Sequence, residues 1–225
     1  MDYIIRSATP EDAAALLAVY GEYIGTPITF EEILPGVEEF RERIRKTLPY
    51  FPYLVACPAA DAASLRASGT VLRASGTVLR TDDAGMTDAV FPRAEAGIAC
   101  GAPIAYAYAG PFAKRAAYRW DAELSIYIAR AHTGRGLGRK LYAELLRLLA
   151  AQGYQNAYGI VTAGNPASDR LHAAFGFHQA GVMRRTGYKN GQWHDVIYYE
   201  KEIGEHGVPP AEVSRAGDSD LQESV

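Results

Sequence analysis

Three glycines alternate with single residues in the segment from Thr133 to Leu141. Glycines at this spacing let successive backbone N–H groups point into one concavity, and the start of a following helix adds partial positive charge. The segment therefore predicts a site for a phosphate or pyrophosphate. A dinucleotide-binding fingerprint would need glycine where Arg139 stands, and a P-loop would need Gly before Lys140 and Ser or Thr after it. The remaining alternative is a tight turn that only caps a helix.

A carboxylate precedes this glycine-rich turn on a strand predicted at 122–129. Side chains alternate along the strand, so Glu123 lies on the face opposite Leu124 and Ile126. A carboxylate on the strand that leads into this turn could take up a proton, directly or through a water. The alternative for Glu123 is an ordinary solvated carboxylate.

Regular elements on both sides position these residues. A Thr-Pro-Glu-Asp run at 9–12 predicts the start of the first helix. Leucines spaced along one stripe predict a long helix from Gly136 to about Gly153. Other helices are predicted at 37–47 and 166–175, and strands at 3–6, 53–56, 103–109, 122–129, 156–162, 181–188 and 194–201. The order β-α-α-β-β-β-α-β-α-β-β predicts an α/β fold with a mixed central sheet flanked by helices.

Two stretches interrupt or follow this pattern. Residues 58–96 hold a tandem repeat in which the seven letters of 65–71 recur at 72–78. Two copies are too few for a solenoid, so we interpret 58–96 as an insertion that forms a long loop or hairpin in a single domain, 1–203. Residues 204–225 contain Pro, Ser, Asp and Glu without periodicity, which predicts a disordered tail.

Composition excludes several classes of protein. The chain of 225 residues is 48% hydrophobic and carries a net charge of -3, so charge gives no argument for a nucleic-acid or membrane partner. Its N-terminus lacks a signal-peptide pattern and no apolar run approaches the roughly 20 residues of a membrane span, which predicts a cytoplasmic protein. Cys57 and Cys100 lie outside metal-ligand spacings, so no metal is expected, and a disulfide between them stays open.

The residues described so far resemble a known family. Thr-Gly-Arg-Gly-Leu-Gly at 133–138, after an alternating strand, is similar to the acetyl-CoA motif of GNAT acetyltransferases, although Thr133 stands where Gln or Arg is usual. The segments 106–112, 115–123, 171–177 and 187–196 resemble the phosphinothricin/methionine sulfoximine acetyltransferase branch of that family. The resemblance runs from about Tyr3 to Glu202 outside the insertion. It implies the GNAT fold and N-acetyl transfer from acetyl-CoA to a small amino-acid-like substrate.

The resemblance also implies roles for individual residues. Glu123 matches the proposed base, and His172 stands where many GNAT enzymes carry a tyrosine that protonates the thiolate; Tyr106, Tyr108 and Tyr127 are rival donors. Substrate contacts are implied for Phe30, Tyr118 and Arg115, whose guanidinium suits a carboxylate. Cofactor contacts are implied for Ile126, Tyr127, Ile128, Gly134, Arg135, Gly136, Leu137, Gly138, Asn165 and Ser168.

Structural alternatives stand beside each role: a core histidine for His172, a surface arginine for Arg115 and helix capping for Ser168. The resemblance implies a homodimer as well. Two other functions remain open, a non-catalytic sensor of acyl-CoA and a GNAT enzyme for polyamines or protein N-termini. A polyamine site would favour acidic residues without Arg115.

Overall fold

The computed structural model describes residues 3–59, 77–79 and 100–216. The strands are β1 (Tyr3–Ser7), β2 (Tyr53–Pro58), β3 (Thr77–Leu79), β4 (Ala105–Pro111), β5 (Asp121–Ile128), β6 (Asn156–Thr162), β7 (His178–Lys189) and β8 (Gln192–Glu202). The helices are α1 (Ala13–Ile24), α2 (Val37–Thr47), α3 (Leu137–Gln152) and α4 (Pro166–Ala174).

The start of α1 follows from its flanking sequence. Thr9 and Asp12 form a capping box around a single 3-10 turn at Pro10–Asp12, and α1 continues from Ala13. The Asp12 carboxylate also accepts two hydrogen bonds from the Arg6 guanidinium, at 2.7 and 2.6 Å, in the core. Because this buried pair is bidentate, it ties β1 to the beginning of α1.

The described strands form one sheet in the order β3-β1-β2-β4-β5-β6-β8-β7. Neighbouring strands are antiparallel except β5 and β6, which pair in parallel from Asp121 to Leu124 and then separate. The predicted mixed sheet flanked by helices is confirmed. The separation of β5 from β6 leaves the second half of β5 with one unpaired edge, and this edge positions the site.

Helices cover both faces of the sheet. On one face α1 and α2 pack over a cluster that contains Leu16, Ile44 and Val55. On the other face the stripe of α3, with Leu141, Leu145 and Leu149 fully buried, packs on the alanines of β4 and on Leu124. Glu123, Ser125 and Tyr127 point toward the first face, because they alternate with Leu124.

The predicted insertion lies mostly outside the described residues. Its last described part, β3, pairs with β1 and includes the end of the second copy of the repeat. A disulfide joins Cys57, at the end of β2, to Cys100, which follows the insertion. Ala59 and Cys100 also form an isolated bridge. The two ends of the insertion are therefore crosslinked, an outcome that the sequence left open.

The segment after β8 differs from the disordered tail predicted from residue 204. Residues 204–216 lie against the end of α3: the Ser214 N–H donates to the Gln152 carbonyl at 2.9 Å, and the Trp120 indole donates to the Ala211 carbonyl at 2.7 Å. A segment without periodicity is held here by long-range hydrogen bonds, which composition does not reveal. Residues 217–225 lie outside the described residues.

None of the described helices is both long and apolar enough to cross a membrane. Within the described ranges, no three His, Cys, Asp or Glu side chains are grouped so that they could hold a metal ion.

Candidate active site

The glycine-rich turn has the backbone that anion binding needs. Gly134 and Gly136 have φ values of 74° and 76°, in the left-handed region that favours glycine, and α3 begins directly afterwards at Leu137. A Cβ on Gly138 would lie 3.2 Å from the Ile128 side chain, so this glycine allows α3 to lie close to β5. The turn therefore presents free N–H groups at the positive end of a 16-residue helix.

The unpaired edge of β5 leads away from this turn. The Ala129 N–H donates to the Ile104 carbonyl at 2.8 Å, and antiparallel pairing alternates from there. Tyr127 thus directs its backbone groups to β4, whereas Ile126 and Ile128 direct theirs to the edge that β6 has left. The Tyr23 hydroxyl donates to the Ile128 carbonyl on that edge. The other backbone groups on this edge can pair with an extended amide chain, as in strand addition.

A cavity of about 1030 Å³ joins the turn to the unpaired edge. Its lining comes from the turn, the second half of β5, the end of α1 and one side of α4. Among the predicted cofactor contacts, the lining includes Ile126, Ile128, Gly134, Gly136, Gly138, Asn165 and Ser168. An elongated cavity with an anion site at one end and strand amides at the other fits the pyrophosphate and pantetheine parts of acetyl-CoA.

Three predicted cofactor contacts lie elsewhere. Leu137 is 1% exposed and anchors the first turn of α3 in the core. Tyr127 packs its ring against Tyr20 and Tyr106 on the α1 and α2 face of the sheet. The Arg135 side chain is exposed and outside the cavity lining. Seven of the ten predicted cofactor contacts line the cavity, and the side chains of these three do not.

Glu123 lies where β5 and β6 separate. It pairs with Tyr158 of β6, and the pairing ends at the next residue, Leu124. Partial burial removes water from the carboxylate and raises its pKa above the usual value of 4.5. The Tyr108 phenol lies within electrostatic range of Glu123 and hydrogen-bonds to Ser125 on the same face. Glu123 is not among the residues that line the cavity, which begins further along β5 at Ile126. A half-buried carboxylate with a raised pKa has the properties of a general base.

His172 lies in the core and not in the cavity lining. The ring is 3% exposed and stacks on Tyr199 at 4.7 Å. Nδ1 donates to the Ser168 carbonyl at 2.9 Å, so Nε2 is the unprotonated nitrogen and accepts from the Tyr142 hydroxyl, also at 2.9 Å. Burial lowers the pKa of His172 below 6.5 and keeps the ring neutral. Both nitrogens are used inside the fold, so this geometry does not support the predicted role as proton donor.

The predicted substrate residues lie around the α1 and α2 face. Arg115 is exposed and forms no ion pair with any residue that the structure describes. It precedes Tyr118, which contacts Phe112 edge to face, and Phe112 stacks on Tyr158 at 3.9 Å between ring centroids. Because Tyr158 is the partner of Glu123 in the sheet, this aromatic group connects the Arg115 segment to the carboxylate.

Phe30 approaches from the connection between α1 and α2. Its ring lies over Gly187 of β7, where a Cβ would come within 2.2 Å of the ring, and it contacts His194 of β8. The Thr162 hydroxyl donates to the Pro27 carbonyl at 2.6 Å, so the same connection also reaches the end of β6. Phe30 therefore lies beside the gap between the two halves of the sheet.

The cavity lining includes residues that the sequence interpretation missed. Tyr23 comes from the end of α1, far from the motif segments in sequence, and Arg170 lies on α4 beside the entrance. The cation Arg139, which the sequence used only to exclude a nucleotide motif, lines the cavity as well. Because Arg170 follows Pro166 by four residues, the sequence predicts that it lies on the first turns of a helix. The sequence does not predict which face of that helix lines the cavity.

Comparisons with known proteins identify the family of the chain. Residues 98–198 match the family model described as acetyltransferase (GNAT) domain. The chain is 30% identical to a phosphinothricin N-acetyltransferase of Streptomyces viridochromogenes over 93% of its length and 92% of that protein. It is 34% identical to an L-methionine sulfoximine/L-methionine sulfone acetyltransferase of Salmonella typhimurium, over 47% of this chain and 62% of that protein.

A solved structure extends the comparison to three dimensions. The phosphinothricin acetyltransferase of Sinorhizobium meliloti, in complex with acetyl-CoA, is similar with a TM-score of 0.72 and 27% identity, over 96% of this chain and 98% of that one. The fold and the cavity thus define a transferase that uses acetyl-CoA as cosubstrate. The chain belongs to the GNAT family and is an acetyl-CoA-dependent N-acetyltransferase, as its resemblance to the family predicted.

Proposed function

We propose that this enzyme acetylates the amino group of a small amino-acid-like acceptor, such as phosphinothricin or methionine sulfoximine, and that Glu123 is its general base. The observation that carries the proposal is the position of Glu123, half-buried where β5 and β6 separate and three residues before Ile126, which lines the cofactor cavity. The names of the two relatives supply the acceptor class.

The reaction needs a neutral amine, because an ammonium group has no free electron pair. Free amines titrate on the order of pH 8–10, so Glu123 accepts the proton, directly or through a water. The amine then attacks the thioester carbonyl, and the oxygen that becomes negative lies beside the Ile126 N–H on the unpaired edge of β5. The attack is direct, and neither Cys57 nor Cys100 is a free thiol that could carry the acetyl group, since they are joined to each other.

Collapse of the tetrahedral intermediate forms the amide and breaks the bond to sulfur. The leaving thiolate takes up a proton from a donor, and the second proton lost by the attacking nitrogen restores that donor. His172 is directed into the core, and Tyr106 is only 1% exposed. Tyr23 lines the cavity, and burial raises the pKa of its phenol, so the phenol stays protonated at neutral pH. We therefore favour Tyr23 over Tyr106 as the donor. Its hydroxyl, which donates to the Ile128 carbonyl, must turn from that carbonyl to the thiolate.

Arg115 is proposed to bind the acceptor carboxylate. Its guanidinium is free of ion pairs with the described residues, and a planar guanidinium binds a carboxylate through two parallel hydrogen bonds. The aromatic rings of Tyr118 and Phe112 connect this segment to the strand pair that carries Glu123. A carboxylate at Arg115 orients the α-amino group toward the base.

The test is a thiol-release assay with acetyl-CoA against phosphinothricin, methionine sulfoximine, ordinary amino acids and spermidine. We expect turnover with the first two acceptors, and a loss of kcat by about 10²- to 10⁴-fold in Glu123→Gln. Because the pKa of Glu123 is raised, the acid limb of the kcat/KM profile lies above pH 4.5, activity rises with pH through that limb, and the variant lacks it. A Glu123→Gln enzyme with the wild-type profile would refute the assignment.

The role of Arg115 has its own control. Arg115→Ala is expected to raise KM for amino-acid acceptors, whereas Arg119→Ala removes a neighbouring exposed arginine that lies over Trp120 and leaves KM unchanged. Preference for spermidine, with no effect of Arg115→Ala, would favour a polyamine enzyme. Tight acetyl-CoA binding without turnover of any acceptor would favour a sensor.

We also propose that the enzyme is a homodimer through the β7–β8 hairpin. Met183, Tyr188 and Trp193 expose 52%, 57% and 60% of their surface there, and β7 is an edge strand of the sheet. Light scattering of the wild type and of Trp193→Glu tests this: a monomeric wild type contradicts it. A cytoplasmic location stays a prediction. Disulfides such as Cys57–Cys100 are more usual in oxidising compartments, so cell fractionation is needed to test it.

A further inference from the structure

Lys189, at the end of β7, is a buried cation that the proposed chemistry does not use. It is 4% exposed, and its ammonium donates to the Thr29 carbonyl at 2.5 Å and to the Glu31 carbonyl at 2.7 Å. No carboxylate among the described residues forms an ion pair with it. Removing an ammonium from water is costly, and burial correspondingly lowers the pKa of Lys189. The two carbonyls compensate for the lost water and fix the position of the ammonium group.

Those two carbonyls flank Phe30, and the side chains of Thr29 and Glu31 make further hydrogen bonds. The Thr29 hydroxyl shares a 2.6 Å hydrogen bond with the Tyr20 hydroxyl, in the core. The Glu31 carboxylate accepts from the Arg43 guanidinium of α2 at 2.6 Å. The backbone on both sides of Phe30 is therefore fixed by Lys189, and its side chains are fixed by two helices.

The Phe30 ring occupies space that Gly187 leaves free. A Cβ built on Gly187 would lie 2.2, 2.4 and 2.8 Å from three carbon atoms of the ring. Real contacts of this kind do not come so close, so any side chain at 187 would displace the ring. Gly187 and Lys189 thus act on the same side chain from one strand, the first by providing space and the second by holding the backbone.

This segment also lies on the face of the sheet that carries the base. Tyr108 is within electrostatic range of both Glu123 and Glu31. The neighbouring Pro27 carbonyl is bonded to Thr162 at the end of β6. Movement of residues 29–31 would therefore change the wall of the acceptor site without touching the glycine-rich turn.

We propose that Lys189 and Gly187 form a clasp that holds Phe30 in the acceptor-site wall, and that this clasp sets the affinity for the acceptor. Both are positioning residues, because they act through Phe30. This inference rests on the proposed function for the identity of the acceptor, but the clasp is testable without one.

The first experiment compares Gly187→Ala with Gly181→Ala. Both glycines are on β7, but a Cβ at 181 meets nothing within 4 Å. Gly187→Ala is expected to raise the acceptor KM by roughly tenfold or more, since a displacement of about 1 Å at a substrate contact has large effects. The acetyl-CoA Kd, measured by calorimetry, stays within about twofold, and Gly181→Ala changes neither quantity.

The second experiment places Gly187→Ala and Lys189→Met in a Phe30→Ala background. If both residues act through Phe30, their effects on acceptor KM vanish once the ring is gone, so each double variant matches Phe30→Ala. Effects that persist in this background, or single variants with unchanged acceptor KM, would overturn the proposal. Equal changes in acceptor KM and acetyl-CoA Kd would do so too, because they indicate general damage to the fold.

A third readout needs no acceptor. Hydrogen exchange followed by mass spectrometry is expected to show faster exchange at residues 28–32 in Lys189→Met and Gly187→Ala, with α3 unchanged. Unchanged exchange at 28–32 refutes the clasp. If the clasp is seen but the wild type acetylates none of the acceptors, the proposed function fails and the structural part of the inference stands.

Discussion

The Cys57–Cys100 disulfide crosslinks the two ends of the insertion, and its contribution to stability follows from the length of chain that it closes. The two residues are 43 positions apart. In the chain-entropy treatment, closing a loop of this length destabilises the unfolded state by about 4 kcal/mol at 25 °C. For a chain of this size, each kcal/mol corresponds to roughly 2–4 °C in Tm, so reduction is expected to lower Tm by about 8–16 °C.

The assay is urea unfolding of the native, reduced and Cys57→Ala/Cys100→Ala proteins. Reduced wild type keeps both sulfur atoms in the core, where Cys57 and Cys100 are 0% and 8% exposed. The free energy of unfolding that it loses on reduction therefore comes from the crosslink alone. The double alanine variant loses the crosslink and some packing, and it should be less stable than reduced wild type. It should also be insensitive to reductant.

Two results would refute this reasoning. Free thiols in protein that is denatured without reductant would mean that the bond is absent. A stability difference below about 1 kcal/mol between native and reduced protein would mean that the unfolded chain already keeps the ends of the insertion close together, so that the crosslink removes little entropy.

Two further predictions concern the cofactor turn and the buried histidine. Gly136→Ala, at a φ of 76°, should raise the acetyl-CoA Kd through about 1–2 kcal/mol of backbone strain. Gly176→Ala, at a φ of 73° and outside the cavity, should lower stability without changing that Kd. Equal shifts of Kd in the two variants would contradict the assigned anion site. His172→Asn should destabilise the fold by about 1–3 kcal/mol, because the buried Tyr142 hydroxyl loses its acceptor. Since the folded-state pKa of His172 is lowered, wild type should lose stability as pH falls below 6.5, and urea titrations at several pH values should show that the variant lacks this component.

The sequence alone determined the elements of the fold because their signals are local. The leucine stripe of α3, the alternation in β5 and the cap at Thr9 each depend on residues within one or two turns. The glycine-rich turn was equally local, since its left-handed φ values are a property of glycine itself. These features, together with the family resemblance, were enough to predict a mixed α/β fold, a pyrophosphate site and acetyl-CoA.

The tertiary structure decided which side chains meet. The sequence placed His172 on a helix, but only the packing of α4 against Tyr142 and Tyr199 turned it into the core. Tyr23 lines the cavity because α1 ends beside the unpaired edge of β5, about which the local sequence of α1 carries no information.

The clasp around Phe30 joins residues almost 160 positions apart, through Lys189 and the carbonyls of Thr29 and Glu31. The order of strands in the sheet creates this contact, since β7 and β8 lie beyond β6 and meet the connection between α1 and α2 there. Periodicity and motif spacing report only neighbours along the chain, so contacts made by the crossing of distant elements stayed hidden until the fold brought them together.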